Sequence, residues 1–468
     1  MPESAEYRGA GNILTPEDVF TWAESFTNLE RGTLQNDSRN YRLDRMRGLL
    51  SMFGGPDRRL RIIHVAGTKG KGSTSALLAS ALHAAGRRTG LYTSPHVSSP
   101  FERIAIAGEP RLPDLLVRLG REIKAAIDGL PDGGIPGGSP PTTFELLTLL
   151  AFLYFREAGC EEAVVETGIG GRLDATNVVS SVASVITPLD LEHTDLLGNT
   201  IEKIAFEKAG IIKPGSPAFI GLQPRAALEV FRKAGRERGS PLTFLAEEAQ
   251  ELSAAVDAHG TSLTLRIAGE ERVSFRLSML GEFQAENAAL AYLTLRRTRP
   301  EISRERIAEG FLQTSLPGRM EVLGSQPLVV LDGAHTPLAV TKLLAAFKAI
   351  FPGEAVLLFG SVTGKNPREM ARILAPAFTH ILVSTPGTFK ESNPEEVAGI
   401  FRGLDPETRL EKDPARALQR AREASGGTRP IPLPGRSTWW RKSGGSSYER
   451  LLRRAADRGR RGHHADHG

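Results

Sequence analysis

Between Ile62 and Thr74 the chain reads IIHVAGTKGKGST. Within Arg61–Ala66, the apolar residues Ile62, Ile63 and Val65 form a compact run that stops at glycines, as a buried parallel strand does. From Ser73 to Ala85, residues Leu77, Leu78, Ala81, Leu82 and Ala85 share one helical face, and Gly86 suits the helix end. A second strand is expected at Thr89–Thr93, so strand, glycine loop, helix and strand open a βαβ unit. In that context Gly67, Thr68, Lys69, Gly70, Lys71, Gly72, Ser73 and Thr74 form a candidate mononucleotide site. Glycines let backbone N–H groups turn around phosphate oxygens, and the helix N-terminus adds partial positive charge. Lys71 would neutralise the β- and γ-phosphates, and Ser73 would bring a hydroxyl near magnesium. Only Thr68 and Lys69 separate Gly67 from the Gly70-Lys71 pair, where the strict pattern has four residues, so this is a shortened variant. The competing reading is a plain glycine turn with incidental lysines.

Further apolar strands are expected at Ala163–Thr167, Val182–Thr187, Leu328–Leu331, Val356–Phe359 and His380–Ser384, with helices at Thr143–Ala158 and Pro337–Phe351. This alternation implies an α/β fold with mainly parallel sheets. Short amphipathic helices are expected at Thr15–Gly32 and Tyr41–Phe53, and Gly129–Pro141, rich in Gly and Pro, reads as an exposed loop. Helical periodicity over Glu282–Arg297 and Ile302–Phe311 precedes a new α/β series, which puts a boundary near Gln313–Pro317. The expected organisation is a phosphate-loop domain over residues 1–314, a smaller domain over 318–430 and a basic tail over 431–468.

At 468 residues the chain exceeds what one core comfortably holds, in keeping with two domains. Its 40% hydrophobic and 24% charged residues match the ordinary globular mix, which argues against a disordered or fibrous chain. Cys160 is the only cysteine, so neither an intrachain disulfide nor a cysteine zinc cage can form, and a reducing, cytoplasmic setting is expected. The N-terminus lacks a basic start followed by an apolar run, and no membrane partner is expected. The formal charge of +5 is uneven: residues 431–468 carry nine Lys or Arg against three acids, which leaves the remainder at −1. The body therefore offers no electrostatic case for a nucleic-acid partner.

Set in order, IIHVAGTKGKGST, YTSPH (Tyr92–His96), ETGIGGRLDATN (Glu166–Asn177), EHTDLLG (Glu192–Gly198), EKAGIIK (Glu207–Lys213), PGRMEVL (Pro317–Leu323) and LDGAH (Leu331–His335) resemble folylpolyglutamate synthase/dihydrofolate synthase, a branch of the Mur ligase superfamily. The resemblance spans roughly Thr15 to Ile431. It implies an N-terminal P-loop ATPase domain with a smaller C-terminal Rossmann-like α/β domain, and ATP-dependent joining of glutamate to dihydropteroate or folate through an acyl phosphate. It also implies that Ser94, Glu166 and His193 hold two magnesium ions, that Lys208 is carbamylated (N6-carboxylysine), and that Arg319 reaches the phosphates. Asp332 is implied to hold ribose, His335 to touch the triphosphate, Asn287 to lie near adenine and Phe144 to line the pterin pocket.

The residue types suit these roles, since magnesium prefers oxygen ligands and a carbamate turns a repelling ammonium into an acid. Each has a plainer rival: Glu166 as a strand-end cap, His193 solvated, Lys208 on the surface, Asn287 a buried amide, Phe144 a core aromatic. A carboxylate at the C-terminal edge of a parallel strand favours function for Glu166.

Three departures from the family pattern stand out: Thr336 in place of an asparagine, Phe283 in place of a histidine, and Lys69 in place of an asparagine. A fourth is the C-terminus, where family members finish on an apolar strand and a Gly-Ser turn. From Ile431 onward this chain is expected to have lost that strand, through a shifted reading frame or a divergent tail. Two other functions compete, a UDP-N-acetylmuramate amino acid ligase and a non-catalytic P-loop nucleotide-binding protein. The first would need an additional N-terminal domain, which a phosphate loop at Gly67 leaves no room for. A monomer is expected.

Overall fold

The computed structural model describes residues 12–28, 42–96, 99–131, 134, 138–323, 326–363, 365–386 and 392–434. Seven strands form the large sheet: β1 (Arg61–Ala66), β2 (Thr89–Tyr92), β3 (Ile104–Ile106), β4 (Glu162–Glu166), β5 (Ala183–Ile186), β6 (Ala218–Ile220) and β7 (Leu242–Phe244). Their order is β3-β2-β4-β1-β5-β6-β7, and only β3 runs antiparallel to its neighbour. Alternate residues of the inner strands feed opposite cores, as a pleated strand covered on both faces requires. Ile62 and Val165 join Trp22, Leu49, Leu119 and Phe152 on one face, whereas Ile63, Val65 and Val164 join Leu77, Leu82, Leu290 and Phe311 on the other. The order reverses around β1, with β4 on one side and β5 on the other, so a crevice opens at the C-terminal ends of these strands.

Beyond β7 the chain makes an antiparallel meander of β8 (Ala249–Asp257), β9 (Gly260–Ile267) and β10 (Val273–Leu277). Sequence reading named no strand here. The signal is a period-2 alternation, visible in β9 as Leu263, Leu265 and Ile267 turned inward between more exposed neighbours. The expected Thr15–Gly32 helix spans only Pro16–Glu24, because Ser25 caps it through Trp22 O and the next residues extend, with Thr27 bridging to Thr142. Gly32 lies outside the described residues, as do residues 132–133 and 135–137 of the expected Gly129–Pro141 loop.

The C-terminal part holds β11 (Glu321–Leu323), β12 (Val329–Asp332), β13 (Val356–Phe359), β14 (His380–Val383), β15 (Arg409–Leu410) and β16 (Ile431–Pro434). Two ladders result, β11-β12-β16 and β13-β14-β15. Here the expectation that the last strand is lost from Ile431 fails. Ile431 and Leu433 are buried beside Val329, Val356 and Leu358, and Ile431 N–H donates to Leu328 O at 2.8 Å. The domain therefore includes Ile431–Pro434, and any departure begins after Pro434. The two ladders meet where Val356 N–H donates to Pro430 O at 3.1 Å. The next parallel rung would run from residue 432 to Val356 O, but Pro432 has no N–H, which interrupts the ladder. Among the described residues, no helix is long and apolar enough to cross a membrane.

Candidate active site

The phosphate loop leaves β1 at Ala66 and enters the Lys71–Ala84 helix. Two of its glycines are required by close approaches. Gly67 has φ 148° and a Cβ there would meet Thr187 Oγ1 at 1.8 Å, while Gly70 has φ 83° and a Cβ would meet Asn287 Oδ1 at 2.2 Å. Thr68 and Lys69 differ from expectation. Both backbone N–H groups donate to Pro188 O, at 3.1 and 3.0 Å, and Thr68 Oγ1 donates to Asp190 O. Lys69 Nζ lies 3.4 Å from Glu192, so this residue pair braces the loop against the chain leaving β5. The N–H groups of the first helical turn, Lys71 to Ser73, have no partner within the helix, which leaves them able to meet an anion.

Glu166 closes β4 beside that turn. It is 3% exposed, its Oε2 accepts the Ser94 N–H at 3.1 Å, and Lys71 Nζ stands 3.9 Å from Oε1. Burial pushes its carboxyl up to about 7, against the opposing pull of Lys71, the Ser94 N–H, Arg319 and Arg103. Ser94 Oγ is buried with no hydrogen-bond partner among the described residues, and so is Thr167 Oγ1. A buried carboxylate and an unpartnered hydroxyl make a hard-oxygen donor set, which suits magnesium. Lys208, also buried at 4% exposure, makes no ion pair among the described residues. Burial and then Lys71 push its ammonium down to about 7, outweighing Glu192, Asp174 and Glu166.

Lys208 stands there because two motifs lock together. Arg172 donates to Glu207 Oε1 at 2.8 and 3.1 Å, and Asn177 Nδ2 donates to Arg172 O and Gly210 O. Lys213 Nζ donates to Asn177 O and Oδ1, at 2.8 and 2.7 Å. The backbones then touch: a Cβ on Gly210 would meet Arg172 Cα at 2.3 Å, and one on Gly171 would meet Glu207 O at 2.9 Å. Sequence reading quoted both motifs yet gave these residues no role. Their signal was the repeated pairing of Arg, Asn and Lys with Glu and Gly across the two segments. Asp174 braces the same loop, its Oδ2 accepting the N–H groups of Gly168 and Ile169.

Phe144 also comes to this place. Its ring leaves so little room that a Cβ on Gly168 would meet Cζ at 2.8 Å, and the Tyr92 ring lies 5.8 Å away. His193 is exposed, with φ 53°. Desolvation holds its imidazole below the ordinary value, with Lys71, Lys208 and Lys69 adding to that and Glu192 opposing it. Asn287, expected near adenine, lies under the phosphate loop: it is 3% exposed, its Oδ1 accepts from Thr74 Oγ1, and its Nδ2 donates to Gln284.

Asp332, expected on ribose, accepts the N–H groups of Met320 and Ala334 on its two oxygens. It thus braces the turn bearing Arg319, and burial raises its pKa against the Ala334 N–H, Arg319 and the Met320 N–H. Arg319 itself is exposed, and its charge reaches both Glu166 and Asp332. His335 Nδ1 sits 2.7 Å from Gly333 O, which makes Nδ1 the protonated nitrogen.

The Mur ligase middle domain model matches residues 65–295, and the Mur ligase, glutamate ligase domain model matches residues 318–429. The dihydrofolate synthase/folylpolyglutamate synthase of Bacillus subtilis is 35% identical over 338 residues, 71% of this chain and 78% of that protein. The crystal structure of folylpolyglutamate synthase from Thermotoga maritima superposes with a TM-score of 0.77 at 30% identity, covering 85% of this chain and 91% of that one. Folylpolyglutamate synthase of Mycobacterium tuberculosis, solved with ADP and AMPPCP, gives a TM-score of 0.75 at 30% identity, covering 86% of this chain and 95% of that one. Motif order, the crevice around β1 and these likenesses agree: the chain belongs to the folylpolyglutamate synthase/dihydrofolate synthase family of the Mur ligase superfamily.

Proposed function

We propose that this chain is an ATP-dependent ligase joining L-glutamate to dihydropteroate, to folate polyglutamates, or to both, with release of ADP and phosphate. The observation that carries the reading is a buried glutamate, met by Lys71 only at 3.9 Å, and a buried lysine with no ion pair among the described residues, both beside a phosphate loop. Burying charges this way is costly unless a bound group completes the site. The first-turn N–H groups and Lys71 bind the terminal phosphates, and Arg319 adds delocalised positive charge where it builds during transfer. An oxygen of the acceptor carboxylate attacks the γ-phosphorus and ADP departs. The glutamate amine then attacks the acyl carbon, loses a proton and expels phosphate, forming the amide.

Glu166, Ser94 and His193 would hold two magnesium ions, whose charge offsets that of the phosphates. With its pKa near 7, part of Lys208 is a neutral amine at physiological pH, able to take up carbon dioxide as a carbamate and so present an acid to the same place. Phe144 offers an aromatic wall on the acceptor side. His335 lies toward the triphosphate, and the protein works as a cytoplasmic monomer. Residues up to about 314 form the nucleotide domain and residues from 318 to 434 the second domain. No observation favours a muramate ligase or a non-catalytic nucleotide binder.

The deciding assay measures phosphate release with ATP, magnesium and glutamate, offering dihydropteroate and a reduced folate in turn. Release is expected with at least one. Failure with both, alongside activity on a UDP-linked acceptor, would reverse the assignment.

A further inference from the structure

His64 takes no part in the chemistry above, yet it is a fully buried polar side chain inside β1, on the face shared with Ile62. Its Nε2 lies 2.8 Å from Thr176 Oγ1. Thr176 Oγ1 donates its own proton to Asp174 Oδ1 at 2.5 Å, so its oxygen accepts from the imidazole and Nε2 carries the ring proton. Nδ1 is then a bare lone pair, buried with no partner among the described residues. Asp174 also takes the Thr176 N–H on Oδ1, at 3.0 Å, while Oδ2 holds the N–H groups of Gly168 and Ile169 at 2.9 and 3.0 Å. Those two residues connect the end of β4, where Glu166 sits, to the loop packed on Phe144. A hydrogen-bonded line therefore runs from the sheet interior to the backbone between the carboxylate and the aromatic wall, with donors converging from both sides on the Asp174 carboxylate.

We propose that His64 is a positioning residue, which through Thr176 and Asp174 sets the Gly168–Ile169 backbone and with it the acceptor side of the cleft. The inference rests on the ligase reading above. What it requires at position 64 is a hydrogen-bond donor at the place of Nε2, with no charge. A Leu there would fill the space, but Thr176 would lose the donor that fixes its hydroxyl, and the grip of that hydroxyl on Asp174 would loosen. Gln carries an amide N–H to nearly the same place as Nε2. The phosphate loop is built on other partners, Pro188, Asp190 and Asn287, so its geometry does not depend on this line.

Steady-state kinetics on the full chain test this, with ATP and dihydropteroate or a reduced folate, whichever the wild type uses, varied separately. His64→Leu is expected to raise KM for the acceptor roughly tenfold or more while KM for ATP stays within about twofold. His64→Gln is expected to return the acceptor KM to within about threefold of wild type. Thr176→Val should reproduce the Leu result and Thr176→Ser the Gln result, and this second pair decides the matter if His64→Leu does not fold. An unchanged acceptor KM, an equal rise for both substrates, or a Gln variant no better than Leu overturns the proposal. Wild-type protein inactive with both acceptors would instead strike the ligase reading itself.

Discussion

Strand β4 carries a buried glutamate at each end, and the two are treated in opposite ways. Glu162, fully buried at the N-terminal end, faces Arg299 in a two-pronged pair at 2.7 and 3.0 Å, with Arg299 itself 2% exposed. Glu166, at the C-terminal end, has one backbone N–H and a lysine no nearer than 3.9 Å, and its carboxyl is pushed up to about 7. The first charge is neutralised within the chain and ties the β4 start to the residue that follows the Glu282–Thr298 helix. The second is left short of positive charge at the edge where parallel strands place ligands. A buried ion pair is therefore no mark of function by its burial alone. An incomplete one is, when it stands next to a hydroxyl and a lysine that lack partners among the described residues.

This contrast can be broken by substitution. Glu166→Gln and Lys71→Ala are expected to lower kcat by roughly 10³-fold or more, because each removes charge that matters in phosphoryl transfer. Both should leave the circular dichroism spectrum unchanged, and the melting temperature of Glu166→Gln should hold or rise, since a poorly compensated buried charge disappears. Glu162→Gln should do the reverse, costing about 3–5 kcal/mol of unfolding free energy by stranding the Arg299 guanidinium while leaving KM and kcat of the folded protein near wild type. The double variant Glu162→Leu with Arg299→Met should regain most of that loss in denaturant titrations. If Glu162→Gln removed activity without loss of stability, the two ends of β4 would no longer differ in kind. The smallest effect is expected in the second domain. Pro432→Val restores the N–H missing between β16 and β13 and should add up to about 1 kcal/mol, partly offset by the greater freedom of the unfolded chain. A melting temperature that falls would show that Val356 O has no use for that donor.

Much of the site was legible because its signals are local. The run Ile62 to Ser73 places strand, glycine turn and helix start within a dozen residues, and hydrophobic periodicity marks most inner strands and their helices. Local pattern could not say which loop N–H groups meet a ligand, since Thr68 and Lys69 spend theirs on Pro188, more than a hundred residues away in sequence. Nor could it bury Lys208, whose helix places it inward only because Gly171 and Gly210 allow two loops to touch. The roles of Asn287 and Asp332 as braces likewise depend on partners brought in by folding.

The expectation about Ile431 failed for the same reason. It rested on the departure from the family's usual ending, but β12 still finds a parallel neighbour here, one whose N–H groups at Ile431 and Leu433 face it. The amino-acid sequence by itself determined most of the inner strands and helices of the parallel sheets, the phosphate loop and the family, because these are written in short-range spacing. The protonation of Glu166 and Lys208, the commitment of each donor and the extent of the second sheet were decided only by tertiary structure. They depend on desolvation and on partners distant in the chain, which no local pattern records.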